Sequence, residues 1–391
     1  MNFAEITQLE DRFQVATYKK MNIAADRGRG AWIWSSDGER YLDLYGGHAV
    51  CVTGHSHPHV VNAIREQADK LLFYSNLVYS EIRGRAAERL AAVSPTGLEK
   101  VFFCNSGTEA NENAMRMARM VTGREKVVSF GGGFHGRTAD SISATFLGRY
   151  REIGRPNVPH HVEAEFGNID SVLSVTDRET AAIIIEPIQS MAGVREASPA
   201  FFQELRALCD RDDIVLIFDE VQTGVGRTGE WFFAGSDLAG GIIPDIITLA
   251  KGLGSGVPVG ACVVTERVSS AIKENDLGTT FGGGMLAMAA VVATLEAISE
   301  DNMLANARAF EQRIRRELMD TDGVVAIRGK GCLIGIELDR ASGPIHKKLL
   351  EAKVITGMSS AANVLRLLPP LCLEVSEAVE ILGRVLTENK G

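Results

Sequence analysis

Lys251 follows directly on an apolar run in the stretch "PDIITLAKGLGSGVPVG". Ile246, Ile247, Thr248, Leu249 and Ala250 have the composition of a buried strand, so an ammonium group stands where the chain is otherwise apolar. Such a group leaves for solvent, pairs with an anion or gives up its proton, because burying an unpaired charge is costly. A lysine without its proton is a nucleophile toward aldehydes and ketones. Asp219 occupies the matching place in "VLIFDEVQTGVGRTG", after an earlier apolar run. Its carboxylate needs a cation there: an arginine, a metal ion or a protonated ring nitrogen. Glu220 adjoins it, yet two carboxylates are fewer oxygen ligands than a hard cation gathers.

Other stretches carry weaker signals. In "NSGTEANENA", Ser106, Gly107 and Thr108 lie between a strand and a helix N-terminus. Free N–H groups, the helix dipole and two hydroxyls suit a phosphate. The same residue types are favoured N-caps, and the pattern alone does not choose. The loop "GGGFHGRT" carries Phe134, able to stack on a planar ring, and Arg137, able to clamp a carboxylate with two parallel donors. Either also serves as a packing or surface residue. "GTTFGGG" sets Thr279 and Thr280 beside a glycine run, as a second phosphate contact or as a turn. His55, His57 and His59 alternate in "GHSHPHV" with no cysteine or acid beside them. That set is incomplete for zinc, so the expectation is a structural loop and no metal.

An acid at one strand end, a lysine at a later one, a phosphate cup and an aromatic loop suit one ligand together: pyridoxal 5′-phosphate. Its aldehyde condenses with a lysine, its ring nitrogen stays protonated beside a carboxylate, and its phosphate needs an anion cup. A nucleotide-binding alternative requires G-x-G-x-x-G directly after a first strand, with an acid about 20 residues on. The glycine runs of this chain do not sit in that context.

These residues need elements to position them. Apolar runs in "KVFFCNS", "EKVVSF", "AAIIIEPI", "IVLIFDE" and "IITLAK" read as strands, with "GACVVT" a further candidate. "GTEANENAMRMARMV" and "SPAFFQELRALCDRDD" have helical spacing, the second opening on Ser198 and Pro199. Continuous Val/Ile/Leu runs separated by helices predict strands buried on both faces and paired in parallel. The fold class expected is α/β, with a large domain built on a mostly parallel, doubly wound sheet. Ligands of such sheets bind beyond the carboxyl ends of the strands, where Ser106, His135, Glu186, Asp219 and Lys251 all fall. "MLANARAFEQRIRRELMD", the strand-like "VVAIRGKGCLIGIEL" and "NVLRLLPPLCL", and a closing helix in "EVSEAVEILGRVL" suit a smaller α/β lobe. The hairpin predicted in "AWIWSSDGERYLDL" joins that lobe. The expected boundaries are 1–45 and 286–391 for the small lobe and 46–285 for the large domain.

The 391 residues are 45% hydrophobic and 23% charged, with a net charge of −9. That balance suits a metabolic enzyme and opposes a nucleic-acid partner, which needs a basic patch. No run of about 18 apolar residues predicts a membrane span, and the N-terminus lacks the apolar core of a secretory signal. The six cysteines are scattered without a C-x-x-C pair, as reduced thiols of a cytoplasmic protein would be.

Read in order, "YLDLYGGHAV", "GHSHP", "FFCNSGTEANENAMRMAR", "FHGRT", "EPIQ", "IFDEVQTGVGRTG", "PDIITLAKGLGSGVPVGA", "GTTFGG" and "NVLRLLPPLCL" cover nearly the whole chain. They resemble the class III aminotransferases of pyridoxal-phosphate fold type I, and among them the acetylornithine and N-succinylornithine aminotransferases. The resemblance implies transfer of the ω-amino group of an N2-acylornithine to 2-oxoglutarate, in arginine biosynthesis. Ornithine, 4-aminobutyrate and succinyldiaminopimelate are the alternative donors within that family.

The resemblance also implies roles. Lys251 would bond the cofactor aldehyde and Asp219 would pair with the ring nitrogen, with Glu220 beside it. Val221 and Phe134 would pack on the two ring faces, and Gln222 would donate toward the ring hydroxyl. Ser106, Gly107 and Thr108 would hold the phosphate. In an implied homodimer, Thr280 would reach the phosphate of the neighbouring site and Thr279 its substrate. Arg137 would bind the substrate α-carboxylate, Arg366 a carboxylate of either substrate, and His48 the substrate side chain. One departure stands out: relatives carry a glutamate after "EPIQG", whereas "EPIQSMAG" places Met191 there. A methionine cannot pair with Arg366, which bears on acyl-group specificity and leaves the reaction type untouched.

Overall fold

The computed structural model describes residues 1–388. Its largest sheet is built from the apolar runs. The strands are β1 (Leu98–Cys104), β2 (Lys126–Phe130), β3 (His161–Ala164), β4 (Thr180–Ile185), β5 (Val215–Asp219), β6 (Ile246–Leu249) and β7 (Gly260–Thr265). Their order across the sheet is β1-β7-β6-β5-β4-β2-β3. Every residue of β4, β5 and β6 is buried, because helices cover both faces and leave no side for polar alternation.

Pairing is parallel through β6, β5, β4, β2 and β3. β7 is the exception, running antiparallel to both β6 and β1. Residues 250–259 join β6 to β7, too few for the helical crossover that parallel pairing demands. β3 is a short edge strand that no apolar run announces.

The helix Gly107–Thr122 begins at an Ser106 N-cap and ends at Gly123, whose φ of 67° closes it. Pro199–Asp212 starts as the sequence indicates, with Ser198 as N-cap and Pro199 in the first turn. The helix Met285–Glu300 carries little amphipathic signal because it is buried on more than one side. It packs against the helices Pro58–Lys70 and Glu81–Val93.

Two smaller sheets flank this body. The hairpin Trp32–Ser35 and Arg40–Asp43 turns through Gly38, at φ 83°. The C-terminal strand Val354–Ile355 pairs in parallel with Arg40–Asp43, so the two ends of the chain share one sheet. A second sheet is formed by Val324–Lys330, Leu333–Leu338, Val364–Leu367 and Gly357–Met358. In "NVLRLLPPLCL" the strand stops at Leu367, since Pro369 and Pro370 cannot donate to a ladder. The amphipathic helix Met303–Leu318 and the closing helix Val375–Glu388 complete this part.

Candidate active site

A cavity of about 500 Å³ opens at the carboxyl ends of the central strands. Its wall includes Ser106, Gly107, Thr108, Phe134, His135, Arg137, Glu186, Asp219, Val221, Gln222 and Lys251. One crevice therefore gathers side chains from sequence positions far apart, as open α/β sheets do.

Asp219 ends β5 and is 3% exposed. Its Oδ2 accepts from Asn111 Nδ2 at 2.7 Å and from His135 Nδ1 at 2.8 Å, and its Oδ1 accepts from the Val221 N–H at 3.1 Å. The His135 Nδ1 must carry the proton for that contact. Asn111 is itself held on both ends: Nδ2 also donates to the His135 carbonyl at 2.7 Å, and Oδ1 accepts from Thr248 Oγ1 at 2.6 Å. Helix, loop and two strands are thus tied through one carboxylate. No motif in the sequence marks Asn111 or Thr248 as functional. A lone polar residue inside an apolar helix face or strand was the available signal.

Lys251 opens a short 3₁₀ turn, Lys251–Gly254, at a positive φ of 43°. A non-glycine residue there carries strain on the order of 1–2 kcal/mol. The left-handed residue breaks the line of β6 and sets the lysine on the cavity wall. Burial lowers the Lys251 ammonium to about 8, with Arg366 and Arg227 adding and Asp219 and Glu186 opposing. Glu186, just past β4, accepts the Phe134 N–H at 2.8 Å. Burial raises its carboxyl to about 7; the Asp219 charge adds to this and His135 opposes it.

The other end of the cavity is an anion cup. Ser106 Oγ accepts the Glu109 N–H at 3.3 Å, and the Gly107 and Thr108 N–H groups head the helix with no intrahelical acceptor. Thr108 Oγ1 meets Thr138 Oγ1 at 2.7 Å and Ser141 Oγ at 2.5 Å. Two glycines keep the cup open. A Cβ on Gly107 would lie 2.9 Å from Val221 Cγ1, and one on Gly136, at φ 142°, only 2.2 Å from Thr108 Oγ1.

On the side facing solvent, the Arg137 guanidinium lies 5.2 Å from the Tyr150 ring centre. Among the described residues no carboxylate forms an ion pair with it. Arg366 is 1% exposed, and its hydrogen-bond partners are neutral: Met358 O at 2.8 Å, Ser190 Oγ at 2.9 Å and Tyr45 Oη at 3.0 Å. Tyr45 Oη also meets His48 Nε2 at 3.1 Å. Crowding by neighbouring atoms and the cations Arg366, Lys251 and Arg137 hold the His48 imidazole down to about 4.

The family model described as aminotransferase class III matches residues 13–386. The chain belongs to the class-III aminotransferases. It is 41% identical to the acetylornithine aminotransferase of Methanopyrus kandleri over 381 residues, covering 97% of each chain. With the acetylornithine aminotransferase of Agrobacterium fabrum it shares 40% identity over 380 residues, 94% of each. Among solved structures, the ornithine aminotransferase of Toxoplasma gondii ME49 superposes with a TM-score of 0.92 at 26% identity, covering 99% of this chain and 96% of that one. The acetylornithine aminotransferase of Elizabethkingia anophelis gives 0.85 at 27% identity, covering 99% and 100%. Fold type I, with its mixed α/β body and parallel-rich sheet, is the fold of this family.

Class-III aminotransferases depend on pyridoxal phosphate, and the cavity of this one fits that group. Its volume lies within the range of cofactor sites. Gln222 Oε1 is buried on the wall without a hydrogen-bond partner among the described residues, and the glycine-lined cup leaves room for a phosphate. Ser106, Gly107, Thr108, Phe134, Asp219, Val221, Gln222 and Lys251 are brought together there.

Other expected residues of the aminotransferase stand elsewhere. Glu220 does not line the cavity. Its carboxylate accepts from the Phe233 and Ala234 N–H groups and the Thr223 hydroxyl, because consecutive residues leaving a strand point to opposite sides. Its placement beside the cofactor is therefore corrected to a structural tie. Burial raises this carboxyl to about 7. Arg366 and His48 stand beside the cavity and not in its lining. Thr279 Oγ1 accepts from Asn105 Nδ2 at 3.1 Å, and Thr280 is exposed; neither lines this chain's own cavity. Met191 does line it. The three histidines of "GHSHPHV" meet three different carboxylates: His55 with Asp43, His57 with Asp301 and His59 with Glu296.

Proposed function

We propose that this aminotransferase moves the ω-amino group of an N2-acylornithine, acetyl or succinyl, to 2-oxoglutarate. The products are the N-acyl glutamate semialdehyde and glutamate. The curated relatives named acetylornithine aminotransferase, at 36–41% identity over nearly the full length, support the substrate class. The observation that carries the chemistry is the pairing, in one cavity, of an amine lowered to about 8, Lys251, with a carboxylate held by three donors, Asp219.

When bound, pyridoxal phosphate supplies an aldehyde and an electron-accepting ring for the amino group. Lys251 would hold the aldehyde and, once free as a neutral amine, carry a proton between neighbouring carbons. Asp219 would keep the proton on the ring nitrogen. Its orientation is set by Asn111, His135 and the Val221 N–H. Phe134 and Val221 would flank the ring, and the Gln222 amide N–H would donate toward the ring hydroxyl. The N–H groups of Gly107 and Thr108 would take the phosphate, with Ser106 beside them. Arg137 has no carboxylate partner among the described residues and would bind the substrate α-carboxylate. Arg366, bonded to neutral partners, would take a carboxylate of either substrate, and His48 would touch the substrate side chain.

A homodimer is part of this reading. Leu72, Tyr74, Leu77, Tyr79 and Phe281 are exposed, and Phe73 packs on Phe281, next to Thr279 and Thr280 in the chain, with ring centres 5.2 Å apart; a second copy covering this apolar surface would bring those threonines to a neighbouring site. We place the enzyme in the cytoplasm, where its six free cysteines stay reduced. No described helix is long and apolar enough to cross a membrane. The structural likeness to ornithine aminotransferases makes ornithine the second candidate donor. Steady-state comparison of N2-acetylornithine, N2-succinylornithine, ornithine and 4-aminobutyrate tests the proposal. A higher kcat/KM for ornithine or 4-aminobutyrate than for both acylated donors would overturn it.

A further inference from the structure

Glu186 is a buried ionisable group on the cavity wall to which the reading above gives no task. It is 4% exposed. One oxygen accepts the Phe134 N–H at 2.8 Å, and among the described residues no other donor reaches its carboxylate. A buried carboxylate with a single donor is under-satisfied, and a cationic donor entering the cavity would complete it. The charged and titratable groups that act on it come from every side. Asp219 follows from β5, His135 from the loop after β2, Lys251 from the turn after β6, and Arg366 from the strand Val364–Leu367.

An amine donor creates the matching need. An alkylamine has an ordinary pKa of about 10.4 and arrives as an ammonium ion, yet only its lone pair can react. We propose that Glu186 receives the donor: its open oxygen accepts from the terminal ammonium and takes one proton, so that ammonium and carboxylate become amine and carboxylic acid. The step moves one proton and changes no oxidation state. Burial has already raised the Glu186 carboxyl to about 7, which makes it a better acceptor than an ordinary carboxylate near 4.3. The proton it keeps then lowers the repulsion that a keto diacid would meet on entering. This inference rests on the aminotransferase reading.

Glu186→Gln tests it, because the amide oxygen can still accept the Phe134 N–H and hold the loop. In single turnovers of the cofactor-loaded enzyme near pH 7, the half-reaction with N2-acetylornithine should slow on the order of a hundredfold. Its rate should then climb tenfold per pH unit, following free amine in solution. The half-reaction with 2-oxoglutarate should change by less than about threefold. Glu186→Asp should restore part of the lost rate and the wild-type pH limb. An independent readout is the infrared band of a neutral carboxyl group in the full chain without cofactor. Glu186 and Glu220 both contribute to its loss as pH rises through about 7, and Glu186→Gln should remove one of the two contributions. Equal slowing of both half-reactions, an unchanged pH profile, or neither contribution lost in the variant would overturn the proposal. A wild-type chain that reacts with no amine donor would instead defeat the aminotransferase reading itself.

Discussion

Replacing Lys251 with Met should stabilise the cofactor-free chain near neutral pH. Folding lowers this ammonium from 10.5 to about 8 by burial. A gap of that size corresponds to about 3 kcal/mol, since one pH unit is about 1.4 kcal/mol. Lys251 is half-buried on the wall of an open cavity, where solvent screens its charge, so roughly half of that is the lower bound. The sign follows from linkage. Below about 8 the folded and unfolded chains both carry the proton, and the folded state bears the full cost. Between about 8 and 10.5 the folded lysine has released its proton while the unfolded one keeps it, so the cost falls away. Methionine removes the charge, matches the volume and leaves no hydrogen bond broken. Urea unfolding near pH 7 should therefore show the variant more stable by about 1.5–3 kcal/mol, with the gain shrinking by more than half near pH 9.5. A variant no more stable than wild type near pH 7, or a gain independent of pH, would show that the amine is not held near neutrality by its surroundings. Transfer activity should be lost in the same variant.

Three further perturbations isolate other parts of the site. Gly136→Ala would force a Cβ to within 2.2 Å of Thr108 Oγ1 and 2.5 Å of Ser141 Oγ. Cofactor affinity measured by fluorescence titration should drop at least about tenfold, as expected when an anion site is displaced; a value within twofold of wild type would contradict the cup. Asn111→Leu leaves Asp219 with one fewer donor and strands the Thr248 hydroxyl and the His135 carbonyl. Unfolding free energy should decrease by roughly 2–4 kcal/mol, and a loss below about 0.5 would mean the network is not coupled. Arg137→Gln should leave stability within about 0.5 kcal/mol, since the guanidinium has no ion-pair partner among the described residues. KM for the donor should rise at least about tenfold; an unchanged KM would remove Arg137 from the substrate site.

The strands that carry the site were legible because each is a short apolar run ending in a polar residue. That pattern survives in β4, β5 and β6, whose residues are all buried. The helix starts at Ser106 and Ser198 were legible for the same local reason, a capping side chain before a periodic run. The helix Met285–Glu300 was not, since burial on several sides erases the polar face that periodicity detects. Nor was the direction of β7, which depends on the length of its connection to β6 and on the neighbour it meets in space.

The sequence by itself determined the inventory of the site: a lysine and an aspartate at strand ends, a capped helix start, an aromatic loop with an arginine, and a motif order shared with one family. Those are local or ordered features, and they are written in adjacent residues. Tertiary structure decided how they act. It showed that Asp219 is held through Asn111 and Thr248, that Glu220 faces away, that Arg366 meets neutral partners, and that Glu186 stands under-satisfied on the same wall. The reason is that charge state and orientation depend on burial and on partners distant in the chain, and only the folded sheet brings those together.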